Sequence, residues 1–294
     1  MIFAWIKARR EEQIEGEALW PVSVMCRVLH VSRAGYYAWL KRKPCKRQEQ
    51  QMNWIEQIKA AHQQSHRTYG SPRITVELNQ QGVQICENTV AKLMRREGVA
   101  ARIKRRFLPQ TTDSSHDCPI APNRLEQNFN ADVPNVRWTS DITYIPTDQG
   151  WMYLAVVMDL FSRKIVGWSM QPHMKAELAC DALRSALDMR QPKAGRLLHH
   201  SDRGVQYACA AYQQLLREAQ IEPSMSRTAN CYDNAVTESF FGTLKTELVN
   251  HQHYATHEQA RQSVFEWIHV FYNRQRRHSS LEYLSPEAFE AKLN

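Results

Sequence analysis

Three acidic residues, Asp141, Asp202 and Glu238, stand where local structure would present their oxygens to one point. Asp141 lies in Arg137-Trp-Thr-Ser-Asp141-Ile-Thr-Tyr-Ile145, a run with the β-branched and aromatic content of a strand. Asp202 closes a second such run, Arg196-Leu-Leu-His-His-Ser-Asp202-Arg-Gly204, in which Gly204 breaks the strand and residues 205–216 read as a helix. Glu238 rides a helix instead. Hard divalent cations prefer oxygen ligands, so three carboxylates aimed together would make a metal site.

The Glu238 helix is tested by angle, since successive side chains rotate by about 100°. With Val236 at zero, Phe240, Leu244 and Leu248 share one apolar stripe, while Glu238, Gly242 and Lys245 fall opposite. Glu238 therefore faces away from its helix's core contact. On this helix alone it reads as a solvated carboxylate, and only the two aspartates make it a candidate ligand.

The strings Trp-Thr-Ser-Asp141-Ile-Thr-Tyr-Ile, His-Ser-Asp202-Arg-Gly, Asp233-Asn-Ala-Val-Thr-Glu238-Ser-Phe-Phe-Gly-Thr-Leu-Lys245 and Tyr272-Asn-Arg-Gln-Arg-Arg-His-Ser resemble those of retroviral-integrase-type DDE transposases. More narrowly, they are similar to the downstream-frame protein of insertion sequence family three. The resemblance runs from about Tyr69 to the end of the chain, and several motifs in order are more specific than any one. It implies a ribonuclease H-like catalytic core in which the first and fourth strands lie side by side, so that Asp141 and Asp202 meet beneath Glu238. It also implies that these three are the catalytic residues and the ligands of two Mg2+ ions, with Mn2+ able to substitute. The implied reaction is phosphoryl transfer: nicking of DNA at an element end, then attack by the freed 3′-hydroxyl on another phosphodiester. Without metal such clustering is costly, because like charges raise one another's pKa. Lys245, on the Glu238 face beyond Gly242, is expected to hold a phosphate beside the scissile bond. The implied partners are element terminal repeats and target DNA, other copies of the chain on that DNA, and an upstream-frame helix-turn-helix and coiled-coil protein. No heptad run appears here to supply that protein's dimer seam.

Composition bounds the same answer. The chain has 294 residues, 43% of them hydrophobic, enough for a sizeable core and more than one domain. Its longest apolar run, near residues 153–158, is too short to span a bilayer, and no secretory pattern opens the sequence. A bacterial cytoplasmic, nucleoid-associated protein is expected. Seven scattered cysteines without a Cys-x-x-Cys argue against a disulfide framework or a cysteine zinc site. His62 and His66 could share a helix face, but without paired cysteines they read as packed or exposed histidines.

Net charge is +8, unevenly spread: residues 1–110 carry 20 Lys and Arg against 9 Asp and Glu, and the remainder carries 18 against 21. This asymmetry points to a nucleic-acid arm on a near-neutral enzyme. Residues 21–29 and 33–41 read as a helix-turn-helix with Ser32 as N-cap, the alternative being a helical hairpin in which Tyr36, Tyr37 and Trp39 pack. A basic run containing Lys41, Arg42 and Lys43 follows, suited to lie along phosphates. A second helical unit begins near Gln48, with Ser71 a cap, Pro72 a helix start, Gly82 a break and Asn88 the cap of residues 89–97. Its exit carries Arg95, Arg96, Arg102, Lys104, Arg105 and Arg106, all candidate DNA contacts.

From Arg137 the elements run strand, strand, strand, helix, strand, helix, strand and the Glu238 helix, an α/β order that gives a mixed sheet. The domain organisation is thus 1–47 (helix-turn-helix-like with basic linker), 48–110 (second helix-turn-helix unit), 111–133 (linker), 134–253 (catalytic core) and 254–294 (helical extension). Asp159 reads as a turn former and Asp233 and Asn234 as N-caps. Arg227 and Asn230 lie in a loop expected to line the substrate. Arg274, Arg276 and Arg277 follow an apolar helix and are read as DNA contacts, or alternatively as cations stabilised by the helix end. Two rival functions remain: a DNA-binding regulator with a vestigial core, which would not nick DNA, and a stand-alone nuclease, which would make no strand-transfer product.

Overall fold

A computed structural model describes residues 1–11, 13, 14, 17, 18, 20–102, 118–227 and 231–293. Lys104, Arg105, Arg106, Asn230 and residues 111–117 of the expected linker lie outside the described residues. The chain divides into two compact units, Met1–Gln57 and Ile58–Asn294.

In the first unit, helices α1 (Ile2–Glu11), α2 (Val22–Val28) and α3 (Arg33–Lys41) surround a small core of Ile6, Met25, Cys26 and Tyr36. Ser32 caps α3, its hydroxyl accepting from the Gly35 N–H at 2.9 Å. Trp39 and Phe3 pack around Tyr36, so two of the three aromatic residues of α3 serve the core; Tyr37 lies edge-on to Tyr36 and is more exposed. Helix α4 (Lys46–Gln64) begins in this unit and ends in the second.

The second unit carries α5 (Ser71–Gln80) and α6 (Glu87–Arg96). Two caps differ from expectation. Gly70 occupies the N-cap of α5 and Ser71 is already helical, with Pro72 in the first turn where its missing N–H costs nothing. Helix α6 starts at Glu87 after Cys86 rather than after Asn88, and Glu87 places an acid in the first turn, where the helix dipole favours it. Gly82 has φ +85° and ends α5 as a residue without Cβ can.

The sheet has five strands: β1 (Arg137–Thr147), β2 (Gly150–Asp159), β3 (Ile165–Gln171), β4 (Leu198–Ser201) and β5 (Glu222–Met225). Their order is β3-β2-β1-β4-β5. β1, β2 and β3 form an antiparallel meander, while β1–β4 and β4–β5 are parallel, as helical crossovers require. Helix α7 (Ala176–Arg190) makes the first crossover and packs against β3 so closely that a Cβ on Gly167 would stand 2.3 Å from the Ala182 carbonyl oxygen. Residues 205–216 do not form one helix: α8 (Val205–Ala208) and α9 (Ala210–Glu218) are separated at Cys209, whose extended backbone (ψ 153°) breaks the ladder. Trp138, Val157, Val166, Leu183, Tyr212 and Leu216 are buried between these helices and the sheet.

Helix α10 (Ala235–Glu247) lays Phe240 and Leu244 into the protein. Phe240 meets Tyr272 at 4.8 Å between ring centroids, on the π-helical stretch Trp267–Tyr272 that continues α11 (His257–Glu266). The extension ends in α12 (Pro286–Glu290), where Glu290 accepts from Ser162 at 2.7 Å and pairs with Arg190. Along β3, the Asn273 amide bonds both backbone groups of Ile165 at 3.0 Å each, and Arg261 donates to the Met170 carbonyl at 3.2 Å. Among the described residues no helix is long and apolar enough to cross a membrane.

Candidate active site

The parallel register of β1 and β4 pairs Trp138 with His199 and Thr139 with His200. That pairing ends two residues before Asp141 on β1 and two before Asp202, which follows β4. Asp141 sits mid-strand, half-buried, its Oδ1 accepting from the Ile142 N–H at 2.7 Å. Asp202 is also half-buried and follows the last residue of β4; its Oδ1 accepts from the Gly204 N–H at 2.9 Å and turns the chain toward α8. Glu238 is exposed in the first turn of α10, on the face opposite Phe240 and Leu244.

Electrostatics tie the three together. Burial first, and the Asp202 charge next, raise the Asp141 carboxyl well above the usual carboxylate range; Glu238 adds to the rise, while the Ile142 N–H and the Lys245 ammonium oppose it. Burial lowers the Lys245 ammonium and Asp141 pulls it back up. Lys245 Nζ lies 4.5 Å from the centre of the Tyr144 ring, a cation–π contact at the rim of the site. The buried Tyr207 hydroxyl has no hydrogen-bond partner among the described residues; burial first, then the charges of Tyr212, Asp141 and Asp202, push its pKa up. Among those residues no group of three or more His, Cys, Asp or Glu side chains is placed closely enough to hold a metal ion together.

Beneath the site runs a buried polar network the sequence reading did not contain. Thr139 Oγ1 donates to Asn234 Oδ1 at 2.7 Å and lies 3.0 Å from Thr237 Oγ1, which donates to the same Asn234 oxygen at 3.0 Å. His199 Nε2 lies 2.8 Å from Ser140 Oγ and 3.1 Å from the Tyr212 hydroxyl. His200 is held between Ser224 and Ser226 at 2.8 and 3.2 Å. Burial pushes His199 down to about 3 and His200 down to about 4, so both are neutral. The motif strings contain all these residues, but nothing in the strings pairs them.

Asp233 and Asn234 do not cap α10 with their side chains. Asn234 occupies the N-cap position without a cap bond, because its amide is turned toward β1. Asp233 is buried and accepts from Arg227 through its N–H at 2.8 Å and its guanidinium at 2.9 and 3.1 Å, with Asn123 and Gln127 donating from the segment before β1. Hydrogen bonding by Arg227 holds that carboxyl well below the usual range. Asp159 accepts from the Asn135 and Phe161 N–H groups at 2.8 and 2.9 Å, the turn role its sequence suggested.

The expected DNA contacts scatter. Lys41, Arg42 and Lys43 are exposed at the end of α3, and Arg95 and Arg96 are exposed at the end of α6. Arg102 is half-buried and donates to the Glu247 carbonyl. Arg227 is exposed, with its guanidinium on Asp233, and Arg274 is exposed 3.3 Å from Glu287. Arg276, expected from the sequence as a DNA contact, is instead buried and doubly bonded to Glu247, where a DNA phosphate has no access. Arg277 is half-buried and ties Glu77 and Gln80 of α5 to the extension, each at 2.7 Å. His62 is packed, its Nε2 3.2 Å from the Ala100 carbonyl, and His66 lies edge-on to Phe271.

A mixed five-stranded sheet flanked by helices and preceded by helical units is the architecture of an integrase-core, ribonuclease H-like polynucleotidyl transferase. Residues 131–231 and 219–286 match families described as Integrase core domain, and residues 48–107 match an HTH-like domain. The Transposase InsF for insertion sequence IS3A of Escherichia coli (strain K12) is 45% identical over 278 residues, 94% of this chain and 96% of the relative. The Insertion element IS600 uncharacterized 31 kDa protein of Shigella sonnei is 42% identical over 270 residues, 92% and 98% respectively. The chain belongs to the insertion sequence IS3 family of InsF transposases. Among solved structures, the HTLV-2 integrase catalytic core domain in complex with magnesium is similar with 15% identity and a TM-score of 0.42, covering 54% of this chain and 99% of that one.

Proposed function

We propose that this transposase cuts and joins DNA at the ends of its insertion sequence with Asp141, Asp202 and Glu238 as its catalytic carboxylates. The observation that carries the reading is the parallel pairing of β1 with β4, which runs to Thr139 and His200, two residues short of Asp141 and Asp202; burial first, then Asp202 and Glu238, raise the Asp141 carboxyl. An all-oxygen donor set whose charges oppose one another suits a hard divalent cation, and Mg2+ fits, with Mn2+ as substitute. Asp141, Asp202 and Glu238 would hold two such ions, which when bound supply Lewis-acid stabilisation of the attacking and leaving oxygens.

The chain's own groups do the rest. Lys245 neutralises a phosphate beside the scissile bond, and the closely packed sheet keeps the aspartates in place. DNA outside the core is held by the basic helical units, with Lys41, Arg42, Lys43, Arg95, Arg96 and Arg102 supplying charge, in the organisation 1–47, 48–110, 111–133, 134–253 and 254–294. Arg227, Asn230, Arg274 and Arg277 lie nearer the core and reach DNA through whatever capacity their local partners leave. The active species is an oligomer on paired element ends, associated with an upstream-frame helix-turn-helix protein, in the bacterial cytoplasm on the nucleoid.

The test is a nicking and strand-transfer assay on labelled element ends with Asp141→Asn, Asp202→Asn and Glu238→Gln. Each variant should lose at least about a thousandfold in both steps while DNA affinity stays within about threefold, because removing a ligand abolishes charge stabilisation and leaves phosphate contacts elsewhere intact. Near wild-type transfer by any one of them removes that residue from the assignment.

A further inference from the structure

The three carboxylates sit on elements that share little covalent constraint: β1, the end of β4 and the first turn of α10. Glu238 is the most exposed and is borne by a helix whose apolar stripe fixes its face but not its height along the sheet. Something has to set that height. The hydrogen bonds around Asn234 join α10 to β1 beside both carboxylates: Thr237 immediately precedes Glu238, and Thr139 lies two residues before Asp141.

We propose that Thr139, Asn234 and Thr237 form a clasp that sets the separation of Glu238 from Asp141, making all three positioning residues for the transfer reaction; this rests on the three-carboxylate reading above. Thr139 is 2% exposed, Thr237 0% and Asn234 6%. Each polar atom is shielded from water, so breaking one bond strands its partner, and the geometry is held stiffly. The Asn234 Nδ2 group reaches the Ser140 carbonyl at 3.4 Å, tying the same amide to the residue that touches Asp141 in sequence. Ser140 in turn meets His199, three residues before Asp202, so the network touches all three carboxylate-bearing elements. A capping role alone would leave Asn234 pointing at the N–H groups of its own helix; instead its oxygen takes both threonine hydroxyls. Outer groups that hydrogen-bond a metal ligand directly are worth about 10- to 100-fold in metal affinity; the clasp acts on the backbone that carries the ligands, so a loss at the low end of that range is expected.

The experiment follows Mg2+ binding to the full chain by thermal shift, with strand transfer measured in parallel. Thr139→Val and Thr237→Val, which keep shape and lose the hydroxyl, should raise the Mg2+ concentration for half-maximal shift by about tenfold and slow transfer to match. Thr139→Ser should restore both, and Thr139→Val added to Glu238→Gln should weaken Mg2+ binding no further than Glu238→Gln alone. A merely structural role would lower the metal-free melting temperature and leave the Mg2+ midpoint in place, and that result overturns the clasp. Should Thr139→Val not fold, Thr237→Val decides by the same midpoint. If wild type shows no Mg2+ response and Glu238→Gln transfers normally, the three-carboxylate reading falls and the clasp with it. If Glu238→Gln loses both responses while both valine variants keep them, the clasp alone falls.

Discussion

The Arg276 guanidinium closes on the Glu247 carboxylate through hydrogen bonds of 2.8 and 2.7 Å, with both side chains buried. Arg73 stands 3.9 Å from the same carboxylate. Glu247→Ala would therefore leave a buried guanidinium without its counter-charge, a loss of about 3–5 kcal/mol in urea unfolding. The double substitution Glu247→Leu with Arg276→Met should recover most of that loss, because the cost lies in the stranded charge. A single-variant loss below about 1 kcal/mol would mean that water reaches Arg276.

Acid should weaken the sheet through His199. Burial, followed by the His200 charge, holds its folded pKa at about 3, whereas an unfolded histidine titrates near 6.5. Between those values the unfolded chain binds a proton that folded His199 refuses. Stability is therefore fully present above about pH 6.5 and falls as pH drops toward 3. From pH 6.5 to 5 the contribution of this residue should fall by about 2 kcal/mol. Chemical denaturation across that range checks it: His199→Gln should flatten the slope, and an unchanged slope would mean that His199 already carries a proton in the folded protein.

Lys245 should matter to transfer more than to folding. Half-buried over Tyr144 and drawn electrostatically toward Asp141, it carries a charge that would favour a phosphate at the proposed site. Lys245→Ala should slow strand transfer by about tenfold or more and weaken binding of cleaved ends, while Lys245→Arg, which keeps the charge but not the compact ammonium, recovers part. The Mg2+ midpoint should stay within about twofold, since no ligand is lost. Wild-type end affinity and transfer in the Ala variant would return Lys245 to a packing role against Tyr144.

Elements were legible where one local pattern dominated. The run around Asp141 reads as a strand from its β-branched and aromatic content, and the run around Asp202 reads as one because Gly204 punctuates its end. The angular argument placed Glu238 opposite Phe240 and Leu244, and the burial of those two residues agrees. What could not be read were choices made by distant partners. Arg276 looked like a surface cation because Glu247, which buries it, is 29 residues away. Asn234 looked like a cap because Thr139, a competing donor, and the Ser140 carbonyl, a competing acceptor, lie on β1 more than 90 residues earlier. The break at Cys209 likewise escaped a helical periodicity that continues on both sides of it.

The Asn273 amide on Ile165 and the Arg261 guanidinium on Met170 occupy backbone groups of β3, the outermost strand on its side of the sheet. An open edge invites another strand to add to it. Side chains from the extension stand where the next strand would pair. The extension thus serves as a cover for this edge, leaving fewer of its backbone groups open to a further strand.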